Sequence, residues 1–468
     1  MAAGLGTRMK SATPKHLHPL LGRRLVDWVV TAARDAGVAR VVVVTSPDAA
    51  DEFPDAEVAI QEQPLGTGDA VRAARDALRD AGGDVLVLNG DVPGLSPQTS
   101  DLLEGVEVAV QEEPLGTGDA VRRARAVLEG FGGDVLVLNG DVPALRPETI
   151  RALVETHRAA GAAATVLSFE PADAGAYGRI VRDSEGKLAK IVEAGDASPE
   201  ELALREVNSG IYVFKAHQLW PALERLDPHN AQGELYVTDT LGLLVADGEP
   251  CAVQLAGDPL EAEGVNTRAE LALAAASLRD RINEMHMLAG VTIVDPATTW
   301  IEAGVEIEPD VVVHPYTVIR GGVRIEGGAE IGPFAYVRAV SVVGEGAKIG
   351  TFVEVKNAAV GAGAKIPHLS YVGDAEVGDG SNVAAGNITA NFPHEPGEPK
   401  GRTKIGRNVR TGVDTVFDAP VEIGDDVWIA AGTVITEDVP PGSLAGFAPR
   451  QTTKEGWVYE KHGKPDGD

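Results

Sequence analysis

A six-residue spacing of β-branched aliphatics runs through the last third of the chain. From Ile307 it reaches Val313, Ile319, Ile325, Ile331, Val337, Val343, Ile349 and Val355 without a miss. The phase then slips by one, resumes at Val360, Ile366 and Val372, and is clear again at Ile423, Ile429 and Ile435. An α-helix needs a period of about 3.6 and a half-buried strand a period of about 2, so neither fits. A Val/Gly-rich sandwich holds no period of six. The pattern predicts a parallel β-helix from about Val305 to Val439, with three short flat strands per coil and one inward aliphatic per strand. Glycine often follows the aliphatic, as in Ile331-Gly332, Val343-Gly344, Val360-Gly361, Val377-Gly378 and Ile423-Gly424. Small or glycine residues are therefore expected to turn the corners.

Such hexapeptide ladders resemble the left-handed β-helix of acyltransferases, which are usually trimers with active sites between neighbouring prisms. Fold likeness alone does not settle function.

The front half has a different grammar. Val41–Val44, Val85–Leu88 and Val135–Leu138 are continuous apolar runs flanked by helical stretches. That is the signature of a parallel sheet covered on both faces, a Rossmann-like α/β domain. Residues 267–289 read as a linker helix, which divides the chain into 1–266, the linker, a β-helix over 290–442 and a C-terminal arm over 443–468. At 468 residues two or three domains are expected. No run approaches the roughly 20 apolar residues of a membrane span. The N-terminus lacks a signal-peptide layout, and Cys251 is the only cysteine, so no intrachain disulfide can form. A cytoplasmic protein is expected. The net charge of −29, spread along the chain, argues against binding nucleic acid or anionic lipid.

The chain opens on Ala3-Gly4-Leu5-Gly6-Thr7-Arg8-Met9, followed by Pro14-Lys15. A glycine-rich loop lets backbone N–H groups approach phosphate oxygens, and Arg8 and Lys15 add charge. Gln-x-x-Pro-Leu-Gly-Thr-Gly suits base and ribose recognition. Gly-Asp-Val-Pro puts an aspartate at the C-terminal end of a buried strand, where ligands of open α/β sheets gather. Tyr177-Gly178-Arg179-Ile180, Ile191-Val192-Glu193, Glu206-Val207-Asn208-Ser209-Gly210 and Glu263-Gly264-Val265-Asn266 follow in order.

This series resembles the sugar-1-phosphate nucleotidyltransferases. Together with the ladder it is similar, over nearly the whole chain, to the bacterial bifunctional N-acetylglucosamine-1-phosphate uridyltransferases and glucosamine-1-phosphate N-acetyltransferases. The resemblance implies acetylation of glucosamine-1-phosphate by acetyl-coenzyme A, then uridyl transfer from UTP to give UDP-N-acetylglucosamine. It implies that Ala2, Ala3, Gly4, Arg8 and Lys15 meet the UTP phosphates, with Gln111, Gly116 and Thr117 at the nucleotide. Gly178, Glu193 and Asn208 would surround the amino sugar, and Asp141 with Asn266 would hold Mg²⁺. In the second half it makes His368 the general base, a role suited to imidazole. Arg338 and Lys356 would bind the sugar phosphate, and Tyr371, Asn382 and Asn391 would complete that pocket. Ala385, Phe392, Val413, Ala431 and Arg450, with Asn391, fall near acetyl-coenzyme A. A homotrimer is implied. Two other readings remain: a monofunctional nucleotidyltransferase with a scaffolding β-helix, and a non-catalytic sugar-nucleotide binder.

Three departures stand out. Residues 57–99 and 107–149 are near copies, differing at 11 of 43 positions. Both keep the motif residues, so Gln61, Gly66, Thr67 and Asp91 mirror Gln111, Gly116, Thr117 and Asp141. The second copy is taken as the working one, because its GDVP leads into a helix over 147–160 and then a strand. The first copy is expected to bulge from the sheet or to lie at a displaced edge. Next, the family's buried first strand, ahead of the Gly-rich loop, is expected to be missing, since the chain starts inside that loop. Its neighbours would then carry unpaired backbone groups, as in a fragment or a chain given a late start. Finally, the ladder is about two coils shorter than in the family. Phe392 and Val413 stand where tyrosine and serine are usual, and the C-terminal arginine is shifted to Arg450. Each lost hydroxyl would weaken cofactor binding by about 0.5–1.5 kcal/mol.

Overall fold

A computed structural model describes residues 9–11, 15–45, 57–58, 85–90, 106–110, 117–125, 128, 130–227, 235–393, 397, 399–446 and 453–462. The chain divides into two compact units, 1–278 and 279–468.

The first unit is built on one sheet. Its strands are β1 (Arg40–Thr45), β2 (Glu57–Val58), β3 (Val85–Gly90), β4 (Val106–Val110), β5 (Asp134–Asn139), β6 (Ala164–Phe169), β7 (Arg179–Arg182), β8 (Leu188–Val192), β9 (Val207–Lys215) and β10 (Cys251–Leu255). Their order is β8-β7-β9-β5-β3-β1-β4-β2, with β6 on β9 and β10 on β6. In β5 successive side chains serve opposite core layers. Leu136 and Leu138 pack with Val26, Val29 and Val30 of helix α1 (Leu25–Asp35), while Val135 and Val137 pack with Ala120, Val121 and Ala124 of helix α2 (Thr117–Ala124). A strand covered on both faces has no polar side to alternate, which is why the run reads as unbroken Val and Leu. After β5 the chain enters helix α3 (Pro147–Ala159), with Pro147 at its first turn, and returns as β6.

Two expectations are corrected here. The first copy's strand, β3, is neither a bulge nor an edge. It lies inside the sheet, parallel to β1 on one side (Val42↔Val87) and to β5 on the other (Val87↔Val137). The partners on the β5 side are identical residues, Val85↔Val135 through Asn89↔Asn139, so the two copies run side by side in register. A second strand as apolar as β5 gains most where both its edges and both its faces are covered. Nor is β1 left with an open edge, because β3 and β4 pair with its two sides.

The second unit is the expected left-handed parallel β-helix. Its sides are parallel sheets of five, eight and seven strands. One inner row runs Val313↔Ile331↔Ile349↔Ile366, another Ile319↔Val337↔Val355↔Val372, and the third Ile325↔Val343↔Val360↔Val377. All of these aliphatics are buried. The one-residue slip is a coil shortened at Val343↔Val360, and the later gap is the segment between Val377 and its partner Ile405. The coil starts before Val305: Thr292–Ile293 and Trp300–Ile301 are its first rungs. Ile301 is six residues before Ile307 and so in phase. An Asp295 turn, whose carboxylate accepts from Thr298 at 2.7 Å, interrupts the spacing before it and hides the Ile293 rung from a count by sixes.

The corners meet the expectation in part: Gly304, Gly322, Gly328, Gly346, Gly363 and Gly380 turn some of them with φ between 63° and 77°. Tyr316, Phe334, Val340, Phe352 and Leu369 turn others with φ between 49° and 63°. Gly344, Gly361 and Gly378 instead allow coils to approach: a Cβ on Gly344 would lie 2.8 Å from the Ala362 nitrogen. Helix α4 (Arg268–Leu288) spans the division between the units. In its second half the Asn283 amide donates to the carbonyls of Pro296 (2.9 Å) and Thr299 (3.0 Å), tying it to the first coil.

The interior position of β3 predicts that Val87→Pro, which removes a ladder N–H and fits only an edge, lowers unfolding free energy by about 3 kcal/mol or more. Urea denaturation followed by circular dichroism checks this. A loss below about 1 kcal/mol would return β3 to the edge.

Candidate functional site

β5 delivers Asp141 to the C-terminal edge of the sheet, where its residue is only 7% exposed. The Asp141 carbonyl accepts from Val265 N at 2.8 Å, which docks the Glu263–Asn266 segment beside it. Asn266 is fixed in turn by a capping box at the start of α4: Glu270 accepts from the Asn266 and Thr267 backbone N–H groups (2.6 and 2.8 Å), and Thr267 Oγ1 accepts from Glu270 N (3.2 Å). Lys15, on the turn Lys15–Leu17, sends its ammonium to Asp141 Oδ2 and to Asn266 Oδ1, the latter at 2.9 Å. Burial, the largest single influence, pushes the Asp141 carboxyl up, but the charge and hydrogen bond of the Lys15 ammonium, together with smaller favourable contacts, hold the group below the usual carboxylate range.

Asp141 and Asn266 therefore present two convergent side-chain oxygens to one cation. That donor set fits Mg²⁺, a hard ion that takes one or two protein oxygens and completes its shell with water and phosphate. Among the described residues no cluster of three His, Cys, Asp or Glu offers a closed all-protein metal site.

Beyond this pair opens a cavity of about 260 Å³ lined by Thr117, Gly178, Glu193 and Asn208 together with Asp141 and Asn266. Thr117 Oγ1 accepts from Val237 N at 2.7 Å. Glu193 accepts from Thr238 at 3.2 Å, and burial raises its pKa. Gly178 faces it: a Cβ there would sit 3.3 Å from Glu193 Oε2. The Asn208 amide donates to the Tyr212 hydroxyl at 2.7 Å, and Asn208 Oδ1 accepts from Gly210 N at 3.0 Å. This β9 irregularity needs glycine, since Gly210 has φ +78° and a Cβ would strike the Asn139 amide.

Tyr212 and Thr238 carry no motif in the sequence, and Tyr177 enters only as part of Tyr177-Gly178-Arg179-Ile180 with no role of its own, although the cavity is built on all three. Tyr212 sits four residues after Asn208 across a glycine, the one signal that a side-chain bond could close there. The expected site residues Ala2, Ala3, Gly4, Arg8, Gln111, Gly116 and Arg450, and the alternative set Gln61, Gly66, Thr67 and Asp91, lie outside the described residues.

The second unit carries a separate group of polar side chains. His368 is exposed at the end of the strand Lys365–His368, beside Thr351 of the coil below. Lys356 and Tyr371 lie on the next side of the coil, where Glu354 pairs with Tyr371 and Lys356 with Gly373. Arg338 donates to Glu354 at 3.0 Å. Asn391 donates to the Asp374 carboxylate and, at 3.4 Å, to the Tyr371 hydroxyl. Lys400 comes back from the long segment after Asn391 to stand beside Lys356, whose ammonium pulls the Lys400 pKa below the usual lysine range. Two adjoining ammonium groups favour an anion between them. Sequence reading missed Lys400 because this segment carries no ladder phase. Asn382 bridges the coils at Lys365 and Arg410, Phe392 is 77% exposed under Lys400, and Val413 and Ala431 are exposed on later coils. Ala385 is half-buried, and its carbonyl accepts from Asp414 N at 2.9 Å.

Residues 1–106 match the family model described as a MobA-like NTP transferase domain, and residues 95–258 match the one described as Nucleotidyl transferase. The fold and the matches thus define a nucleotidyltransferase domain joined to a hexapeptide β-helix. The Bifunctional protein GlmU of Streptomyces coelicolor is 41% identical, with 98% of this chain and 93% of that protein aligned. Its counterparts in Leifsonia xyli subsp. xyli and Mycobacterium tuberculosis are 43% and 39% identical, each over 98% of this chain and 92% of their own length. The chain belongs to the family of bifunctional GlmU proteins.

The lowered Asp141 pKa carries a sign. Its stabilising contribution is complete above the unfolded value of about 3.9 and is lost as pH falls through the lower folded value. Between pH 5 and pH 2 the urea midpoint of the wild type should therefore fall more steeply than that of Asp141→Asn. Parallel slopes would contradict the ion pair.

Proposed function

We propose that this chain acetylates glucosamine-1-phosphate with acetyl-coenzyme A and then transfers UMP from UTP to the N-acetylglucosamine-1-phosphate formed, releasing pyrophosphate and UDP-N-acetylglucosamine, a precursor of cell-wall polymers. The carrying observation is that a chain with the Asp141–Asn266 cavity also sets Lys356 and Lys400 side by side near Tyr371 and Asn391. A bare scaffold has no use for an anion-seeking pair.

In the acetyl step His368 takes the proton as the glucosamine nitrogen attacks the thioester carbonyl, and coenzyme A leaves. Lys356, Lys400 and Arg338 hold the sugar phosphate, while Asn382 and Asn391 complete the pocket. Ala385, Phe392, Val413, Ala431 and Arg450 border acetyl-coenzyme A. In the uridyl step the phosphate oxygen of N-acetylglucosamine-1-phosphate attacks the α-phosphorus of UTP. That nucleophile is already ionised, so positioning and charge matter more than a base. Asn208 and Glu193 orient the amino sugar, Arg8 and Lys15 meet the triphosphate, and Asp141 with Asn266 hold Mg²⁺. Bound Mg²⁺ would neutralise charge on the phosphates.

A homotrimer is part of the same reading. Tyr316, Phe334 and Phe352 stack along one corner with ring centroids 4.8 and 5.1 Å apart, and Leu369 continues this exposed stripe. Such a stripe marks a protein interface, and second copies of the chain would cover it. Among the described residues no helix is long and apolar enough to cross a membrane, which fits the cytoplasmic location we propose.

His368→Ala should cut coenzyme A release by about 10²–10⁴-fold while leaving pyrophosphate release from UTP and N-acetylglucosamine-1-phosphate intact. Asp141→Asn should do the reverse, and Asp91→Asn should leave both rates near wild type. Full acetyl transfer by His368→Ala would remove that base, and loss of uridyl transfer in Asp91→Asn alone would move the metal to the first copy. Light scattering on a sizing column should give three chains for the wild type and fewer for Phe334→Glu; a wild-type monomer would refute the trimer.

A further inference from the structure

Lys15 has two duties that conflict. The same ammonium that would meet the triphosphate sits on Asp141 Oδ2 and on Asn266 Oδ1 at 2.9 Å, the two oxygens assigned to the metal. The Lys15 and Asp141 side chains are only 12% and 10% exposed, so water screens this pair poorly. A metal ion bound at about 2.0–2.1 Å from each oxygen, with its remaining waters, would fill the space the ammonium occupies. Two positive charges that close, in so dry a place, repel strongly. One must leave.

We propose that Lys15 and the divalent cation are alternative partners of Asp141: the ammonium holds the metal position in the free enzyme and is displaced when the cation binds. This rests on the reading that Asp141 and Asn266 are the metal ligands. The exchange answers two needs with one side chain. Without metal, Asp141 is a carboxylate at the end of an interior strand, and leaving it without a cation is costly. With metal, that need is met by the incoming ion, and Lys15 is released toward the phosphates that arrive with it. Because coupling is reciprocal, phosphates that draw Lys15 away raise metal affinity by the factor by which metal raises theirs. The cation alone then binds weakly, since it must first displace an ion pair.

The test titrates full-length protein with Mn²⁺ alone, free Mn²⁺ being read by electron paramagnetic resonance. Lys15→Met should bind Mn²⁺ about tenfold or more tightly than the wild type. Its melting temperature, lowered in EDTA, should recover when Mn²⁺ is added, whereas that of the wild type should barely move. Lys15→Gln serves in the same way should the methionine variant fail to fold. On the wild type itself, Mn²⁺ should speed acetylation of Lys15 by acetic anhydride severalfold, followed by peptide mass spectrometry. Equal or weaker Mn²⁺ binding by Lys15→Met or Lys15→Gln would overturn the exchange, as would Lys15 reactivity that metal leaves unchanged. Asp141→Asn separates the two ideas: if it binds Mn²⁺ like the wild type, the assignment of the metal ligands is what fails.

Discussion

Val135 to Leu138 pair on one side with Val85 to Leu88 and on the other with Tyr212 to Phe214, and both faces of the strand are covered. A strand held on four sides cannot slip by one residue without breaking both ladders and exchanging valines for leucines between two packed core layers. The candidate site hangs from that rigidity. It fixes where the chain leaves the sheet, hence where Asp141 stands, and Asp141 in turn anchors Val265 and gathers Lys15 and Asn266. The β-helix obeys the same rule on a shorter repeat: parallel register stacks one aliphatic over the next and leaves the outward positions of each coil free for chemistry.

Much of this was legible in the sequence because periodicity reports burial directly. The six-residue rows, the doubly covered strands and the helix 147–159 followed by its strand all came from that signal. Spacing does not report which strand sits beside which. The spacing suggests a bulge or a displaced edge for the copy carrying Val85–Gly90, yet backbone pairing places it between Arg40–Thr45 and Asp134–Asn139. Identical sequences have identical needs for cover, and only pairing partners decide where each finds it. One set of corners departs for a related reason: a left-handed φ suggests glycine, as at Gly322 and Gly346, but stacking between coils lets Tyr316, Phe334 and Phe352 bear it.

At the site, residues within recognisable motifs could be named one by one, and the structure brings Thr117, Asp141, Gly178, Glu193, Asn208 and Asn266 to one cavity. The residues that hold them were harder to see. Tyr212 acts by closing a bond to Asn208 across a strand irregularity, and Lys400 by returning from a segment without periodicity to meet Lys356. Neither relation has a fixed spacing in sequence. Lys15 was named as a phosphate contact; only its geometry shows that it also serves Asp141.

The central claim is that one chain carries two linked transferase sites. Its most direct test supplies wild-type protein with glucosamine-1-phosphate, acetyl-coenzyme A, UTP and Mg²⁺, and follows coenzyme A and pyrophosphate in the same sample. The account predicts coenzyme A from the start and pyrophosphate after a lag, with UDP-N-acetylglucosamine as the final product by mass. Release of only one of the two, or pyrophosphate formed without any sugar phosphate present, would contradict it.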